Sequence, residues 1–126
     1  MNGGQHPARL SIGVIGAGRV GAVLGAALAR AGHHIQAAYA VSEDSRERAA
    51  ALLPGVPLKD VPDVIDGADL VLLAVPDDAL PELVRGLAAT DTWQAGQIVV
   101  HTSGRYGADV LRPARQGSPR QRPASR

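Results

Sequence analysis

Apolar and polar residues alternate in blocks along this chain. Leu10-Ser11-Ile12-Gly13-Val14-Ile15 is a short aliphatic run stopped by glycines, the pattern of a buried strand. From Val20 the apolar residues recur at Leu24, Ala27, Leu28 and Ala31, one face of a helix that Gly32 closes. His34 to Val41 reads as a second strand. Ser45 is placed to cap a helix running to Leu53, with Pro54-Gly55 stopping it. A brief strand around Val56–Leu58 and a short helix from Val61 to Asp66, closed by Gly67, follow. Asp69-Leu70-Val71-Leu72-Leu73-Ala74-Val75 is continuous and aliphatic, as in a sheet covered on both faces, and Pro76 ends it. Leu80 to Ala89 reads as a helix and Gln97 to His101 as a last strand.

Strands alternating with helices of about ten residues predict right-handed crossover units, hence an α/β fold with a doubly wound parallel sheet of about five strands. This pattern covers residues 9–111. From Arg112 to Arg126 the chain turns to Arg, Pro, Ser and Gln and, Pro aside, has no apolar residue larger than Ala. Such a segment cannot bury enough surface to offset chain entropy, so residues 112–126 are expected to be a disordered basic tail.

The length of 126 residues fits one domain, and the absence of Cys removes any disulfide framework or thiolate metal site. Residues 1–111 carry 8 basic and 12 acidic side chains, a net of −4, so the overall +1 comes from the tail alone. No aromatic residues interleave with the tail arginines for base stacking, which argues against a nucleic-acid partner. Leu10 to Leu28 imitates a membrane span in composition, but Arg19 near its middle and repeated glycines argue against one. The first residues lack the charged start and apolar stretch of a signal peptide, so a cytoplasmic location is expected. His6, His33 and His34 show no metal-ligand spacing with carboxylates.

Gly16-Ala17-Gly18-Arg19-Val20-Gly21 follows a predicted strand and opens a predicted helix, the context in which this spacing cradles a dinucleotide. Gly16 permits the sharp turn, Gly18 lets backbone approach a pyrophosphate, and Gly21 lets helix and strand pack closely, with Gly25 extending that contact. The free N–H groups near Gly18, Arg19 and Val20 favour an anion. Arg19 adds either a charge-assisted phosphate contact or a surface for adenine. Without a ligand, the same glycines would simply make a tight turn.

An NAD site commonly places an acid at the end of the second strand, to hold the ribose hydroxyls. Here that strand runs out as Tyr39-Ala40-Val41-Ser42 and no acid comes before Glu43. Ser42 and Arg46 could instead hold a 2′-phosphate, which favours NADP over NAD; alternatively they are a turn residue and a solvated helix residue. Val75, Pro76 and Asp77 fall at the carboxyl edge after the central strand, where the nicotinamide ribose would lie, though Asp77 and Asp78 also suit helix capping. His101 and Ser103, at the same edge, are the catalytic candidates, for proton transfer and for holding a substrate oxygen. A His at a strand end is more often only hydrogen-bonded.

The segments Gly16-Ala17-Gly18-Arg19-Val20-Gly21, Ala74-Val75-Pro76-Asp77-Asp78 and His101-Thr102-Ser103-Gly104-Arg105-Tyr106-Gly107 together resemble an oxidoreductase/dehydrogenase family with an N-terminal Rossmann-like domain. That family is related to the pyrroline-5-carboxylate reductase and 6-phosphogluconate dehydrogenase group. The resemblance implies an NAD(P)-binding domain that presents the dinucleotide for hydride transfer to a small substrate. It also implies a second, helical domain that supplies homodimer contacts and much of the substrate pocket. The likeness stops near Arg112, so the chain is expected to be a truncated or frameshifted form. The alternative is a non-catalytic dinucleotide-binding or redox-sensing module.

Overall fold

The computed structural model describes residues 9–103 and 106–117. Strands β1 (Ser11–Ile15), β2 (His34–Tyr39), β3 (Leu70–Leu73) and β4 (Ile98–His101) form one parallel sheet in the order β2-β1-β3-β4. Helices α1 (Arg19–Arg30), α2 (Glu43–Leu52), α3 (Val61–Ile65), α4 (Leu80–Ala89) and α5 (Arg112–Gly117) connect and follow the strands, with a 3-10 turn at Ala108–Leu111.

The period-2 alternation of the strands sorts their side chains onto two faces. Ile12, Val14, Ile35, Ala38 and Leu72 pack with Ala26 of α1 and with Leu53 at the end of α2. Ile15, Ala37, Val71 and Leu73 pack on the opposite face with Val64 and Ile65 of α3, Leu80, Val84 and Leu87 of α4, and Trp93. Both faces of the central strands are therefore dry, as their unbroken aliphatic sequence predicts. One irregularity keeps β2 in phase. The register against β1 slips between Ile12 and Gly13, so that Gln36 is passed over. Gln36 uses its amide to donate to the carbonyls of Val64 and Asp66 instead.

The expected strand at Val56–Leu58 is reduced to a single bridge between Ala38 and Leu58, and the sheet has four strands. Pro57 has no N–H to give a ladder, so the pairing is confined to Ala38 N–H on the Pro57 carbonyl (3.0 Å) and Lys59 N–H on the Ala38 carbonyl (2.9 Å). The helix expected from Ser45 begins at Glu43, because Ser42 is the residue with extended backbone (ψ 157°) whose hydroxyl accepts the Ser45 N–H. Leu10 to Leu28 divides into strand, glycine turn and helix, and no helix among the described residues is long and apolar enough to cross a membrane.

The tail departs from expectation in its first six residues. Arg112–Gly117 form α5, with Pro113 tolerated in the first turn and Ala114 buried in the core cluster under α4. Val110 and Leu111, just before the helix, pack against the same cluster, so this segment is anchored by apolar residues that precede the change in composition at Arg112. Residues 118–126, like His6, Gly104 and Arg105, lie outside the described residues.

Gly13 is where β1 and α3 approach most closely. A Cβ there would stand 2.5 Å from the Val64 carbonyl oxygen and 2.8 Å from its Cγ1. Gly13→Ala is expected to destabilise the fold by about 1–3 kcal/mol, the usual range for overpacking. Urea unfolding followed by emission of the buried Trp93 measures it, and an unchanged midpoint would contradict this packing.

Candidate functional site

All four strands run the same way, so their carboxyl ends share one edge, which is where open α/β sheets bind ligands. At that edge lies a cavity of ≈ 630 Å³ lined by residues 16–21, 39–42, 74–76, Ser45 in the first turn of α2, and Thr102. Its size is typical of a small-molecule site. Every strand end contributes to its wall.

The glycine turn shapes the floor. Gly16 has φ +96°, and a Cβ on it would come within 2.6 Å of the Ala74 carbonyl oxygen. Its N–H donates to the Tyr39 carbonyl (2.9 Å), while Ala74 N–H donates to the Ile15 carbonyl (2.8 Å), so backbone bonds hold the turn from both neighbouring strands. A Cβ on Gly21 would collide with the Gly16 carbonyl oxygen and stand 2.6 Å from Cβ of Ala74. Gly18 differs. Its backbone (φ −67°, ψ −177°) suits any residue, and a Cβ there would meet no protein atom within 4 Å. The fold does not need glycine at 18; the space beside it is the cavity.

Gly18 is also the N-cap of α1, with no side-chain capping bond, and the first turn of the helix holds no acid. The first N–H groups of a helix have no intrahelical acceptor and carry the positive end of its dipole. With Arg19 at that position, the opening of α1 is a cationic, donor-rich surface.

Gly16, Gly18, Arg19, Val20, Gly21, Ser42, Val75 and Pro76 all line this cavity. Arg46 lines an adjoining hollow of ≈ 830 Å³ that shares Tyr39, Ala40 and Val41 with it and adds Lys59, Asp60 and Asp63. The Arg46 Nε makes a long contact (3.5 Å) to the Ala40 carbonyl. Asp77 is half-buried in the turn before α4 and is not among the lining residues, and the N-cap of α4 is Ala79.

His101 and Ser103 are brought together, but with each other rather than at the cavity. Nδ1 of His101 accepts the Ser103 N–H (3.0 Å), which leaves Nε2 to carry the proton and donate to the Gly107 carbonyl (3.0 Å). The Ser103 hydroxyl accepts the Tyr106 N–H (3.2 Å). The imidazole thus fastens the loop after β4. Thr102, between the two, is the residue that lines the cavity. Tyr39, Ala40 and Thr102 were not singled out as site residues from sequence, although each follows directly from where a strand ends. Among the described residues no three His, Cys, Asp or Glu side chains converge as metal ligands would.

With this geometry, the chain belongs to the Rossmann-like domain family, whose profile matches residues 1–119. No curated protein matches it by sequence. Among solved structures it is similar to a Bacteroides fragilis protein provisionally described as an NADP oxidoreductase (28% identity, TM-score 0.65), covering 81% of this chain and 39% of that one. A Myxococcus stipitatus imine reductase variant, solved in complex with NAD+, is 27% identical (TM-score 0.67) over 86% of this chain and 38% of its own. A Pseudomonas imine reductase shares the fold at 23% identity (TM-score 0.66), over 90% and 38% respectively. The chain spans about two fifths of the length of these proteins.

Replacing His101 by Ala removes both bonds that close the loop, at a cost of about 1–3 kcal/mol if the partners are left unpaired. Amide hydrogen exchange at Ser103 should rise in that variant. Unaltered protection there would contradict the fastening role.

Proposed function

We propose that this chain is the NAD(P)-binding domain of an oxidoreductase, holding the dinucleotide for hydride transfer to a small substrate. The observation that carries the reading is Gly18. A glycine that the fold does not require sits at an uncapped helix N-terminus, facing a cavity at the carboxyl edge of a parallel sheet. The oxidoreductase relatives, one described with NADP and one solved with NAD+, support the cofactor class.

In this reading the N–H groups at Gly18, Arg19 and Val20 hold the pyrophosphate, and Gly16 and Gly21 keep the turn low enough for it to enter. Tyr39 to Ser42 border the adenosine end, and Val75, Pro76 and Thr102 border the opposite end. The nicotinamide, when bound, supplies or accepts the hydride, and the protein contributes position and exclusion of water. NADP is preferred to NAD, because Ser42, and no acid, follows the end of β2 where an NAD site would offer a carboxylate, and Arg46 and Lys59 stand in the adjoining hollow, alongside Asp60 and Asp63. His101, with both ring nitrogens engaged by backbone, favours a binding role for this segment over proton transfer.

Gly18→Asp separates binding from folding. An Asp at this N-cap would accept the N–H groups the ligand needs, so affinity for NADPH should be lost. The helix should meanwhile gain about a few tenths of a kcal/mol, since Asp caps slightly better than Gly. Calorimetric titration and thermal melting measure the two effects, and retained affinity would sink the assignment. Replacing Ser42 and Arg46 together by Ala should weaken NADPH more than NADH, and equal losses would remove the NADP preference.

A further inference from the structure

We infer that Arg48 is a positioning residue for the glycine turn, acting from α2 to aim a backbone donor at the pyrophosphate; this rests on the dinucleotide reading above. Arg48 is half-buried, and its Nη1 donates to the carbonyl oxygen of Ala17 at 3.2 Å. Ala17 is 1% exposed and sits between the two glycines that shape the turn. Among the described residues this carbonyl is the partner found for the guanidinium, and no ion pair forms between Arg48 and Asp44, one turn earlier on α2.

The consequence follows from peptide geometry. In a planar trans peptide the C=O of one residue and the N–H of the next point in opposite directions. The Ala17–Gly18 peptide is trans. Fixing the Ala17 carbonyl toward the Arg48 guanidinium, which is not among the residues lining the cavity, therefore turns the Gly18 N–H away from that guanidinium, and no backbone acceptor is bonded to that N–H. Gly18 itself lines the cavity. The turn is otherwise fixed by backbone at Gly16, one residue earlier, and by the helix from Ala22, whose N–H donates to the Gly18 carbonyl (2.9 Å). The peptide between those anchors has no other holder among the described residues. A cation so close to the pyrophosphate cradle also complements its charge.

Full-length Arg48→Ala and Arg48→Lys, compared with the unaltered chain, test this. NADPH affinity is read by calorimetry, and the Gly18 amide by NMR on adding inorganic pyrophosphate. Arg48→Ala should weaken NADPH on the order of tenfold, about the effect of one well-aimed hydrogen bond. It should also abolish the pyrophosphate-induced shift of the Gly18 amide. Arg48→Lys keeps a cationic donor to the carbonyl and should restore most of both. Adenosine 2′-monophosphate, which has no pyrophosphate, should bind all three proteins alike.

An Arg48→Ala protein that holds NADPH within twofold and keeps the Gly18 shift would overturn the inference. So would parallel loss of the nucleotide without pyrophosphate, which would mean general loss of the site. Should Arg48→Ala fail to fold, Arg48→Met, which keeps an unbranched stem but has no N–H donor, carries the same comparison, with the same expected loss of the Gly18 shift. If the unaltered chain binds pyrophosphate but neither NADPH nor NADH, the dinucleotide reading fails while the pyrophosphate arm still judges Arg48. If it binds none of them, both fall.

Discussion

The approach of α1 to the end of β3 is the constraint on which the site depends. Two residues without side chains, Gly16 and Gly21, bring the turn and the first helical turn against Ala74. A methyl group at either position would overlap backbone, Ala74 in one case and Gly16 in the other. Because protein interiors are close-packed, that overlap could be relieved only by lifting α1 from the sheet. The cavity would then lose its floor, since residues 16–21 and 74–76 line it together. Backbone bonds from β2 and to β1 hold the turn in this position, so the helix start is aimed by the sheet rather than by flexible side chains.

This explains why the centre of the site is legible in the sequence while its margins are not. A glycine spacing marks where the backbone must make a close approach, and that mark is local in the sequence even though the neighbour approached, Ala74, is distant. The same holds for Leu80–Ala89, whose start is marked by Pro81 in the first turn and whose apolar face is regular. The strand ends are less legible because composition does not say where pairing stops. β2 ends at Tyr39 although apolar residues continue to Val41, which is 62% exposed. Two serines compete to cap α2, and backbone geometry at Ser42 decides it. The Arg48 contact spans 31 residues, and nothing local in Arg46-Glu47-Arg48 distinguishes the arginine that reaches the turn from the one that faces the adjoining hollow.

The loop after β4 shows how a chemically suggestive pair can be absorbed into structure. His101 and Ser103 stand at the edge where ligands bind, and both are side chains that catalysis often uses. Their bonds instead join Ser103, Tyr106 and Gly107 to the end of the strand. The residue left at the cavity is Thr102, and its own N–H continues the ladder onto the Leu73 carbonyl (3.1 Å). The histidine shapes the wall without being part of it.

The helix starts make a final contrast. α2 opens with Ser42 as a side-chain cap and Glu43 and Asp44 in its first turn, and α4 carries Glu82 in its first turn. Each thereby has negative charge of its own at the positive end of its dipole. α1, the longest of the described helices at 12 residues, has glycine at the cap, no capping bond and no acid in its first turn. This arrangement occurs in a region, residues 1–111, that carries more acids than bases, so it does not follow from a shortage of carboxylates. Glycine is also a slightly poorer cap than Asp or Ser. Helix stability alone would favour a polar side chain at 18; room for an anion to lie on the bare N–H groups favours none, and the second requirement matches the residue that is there.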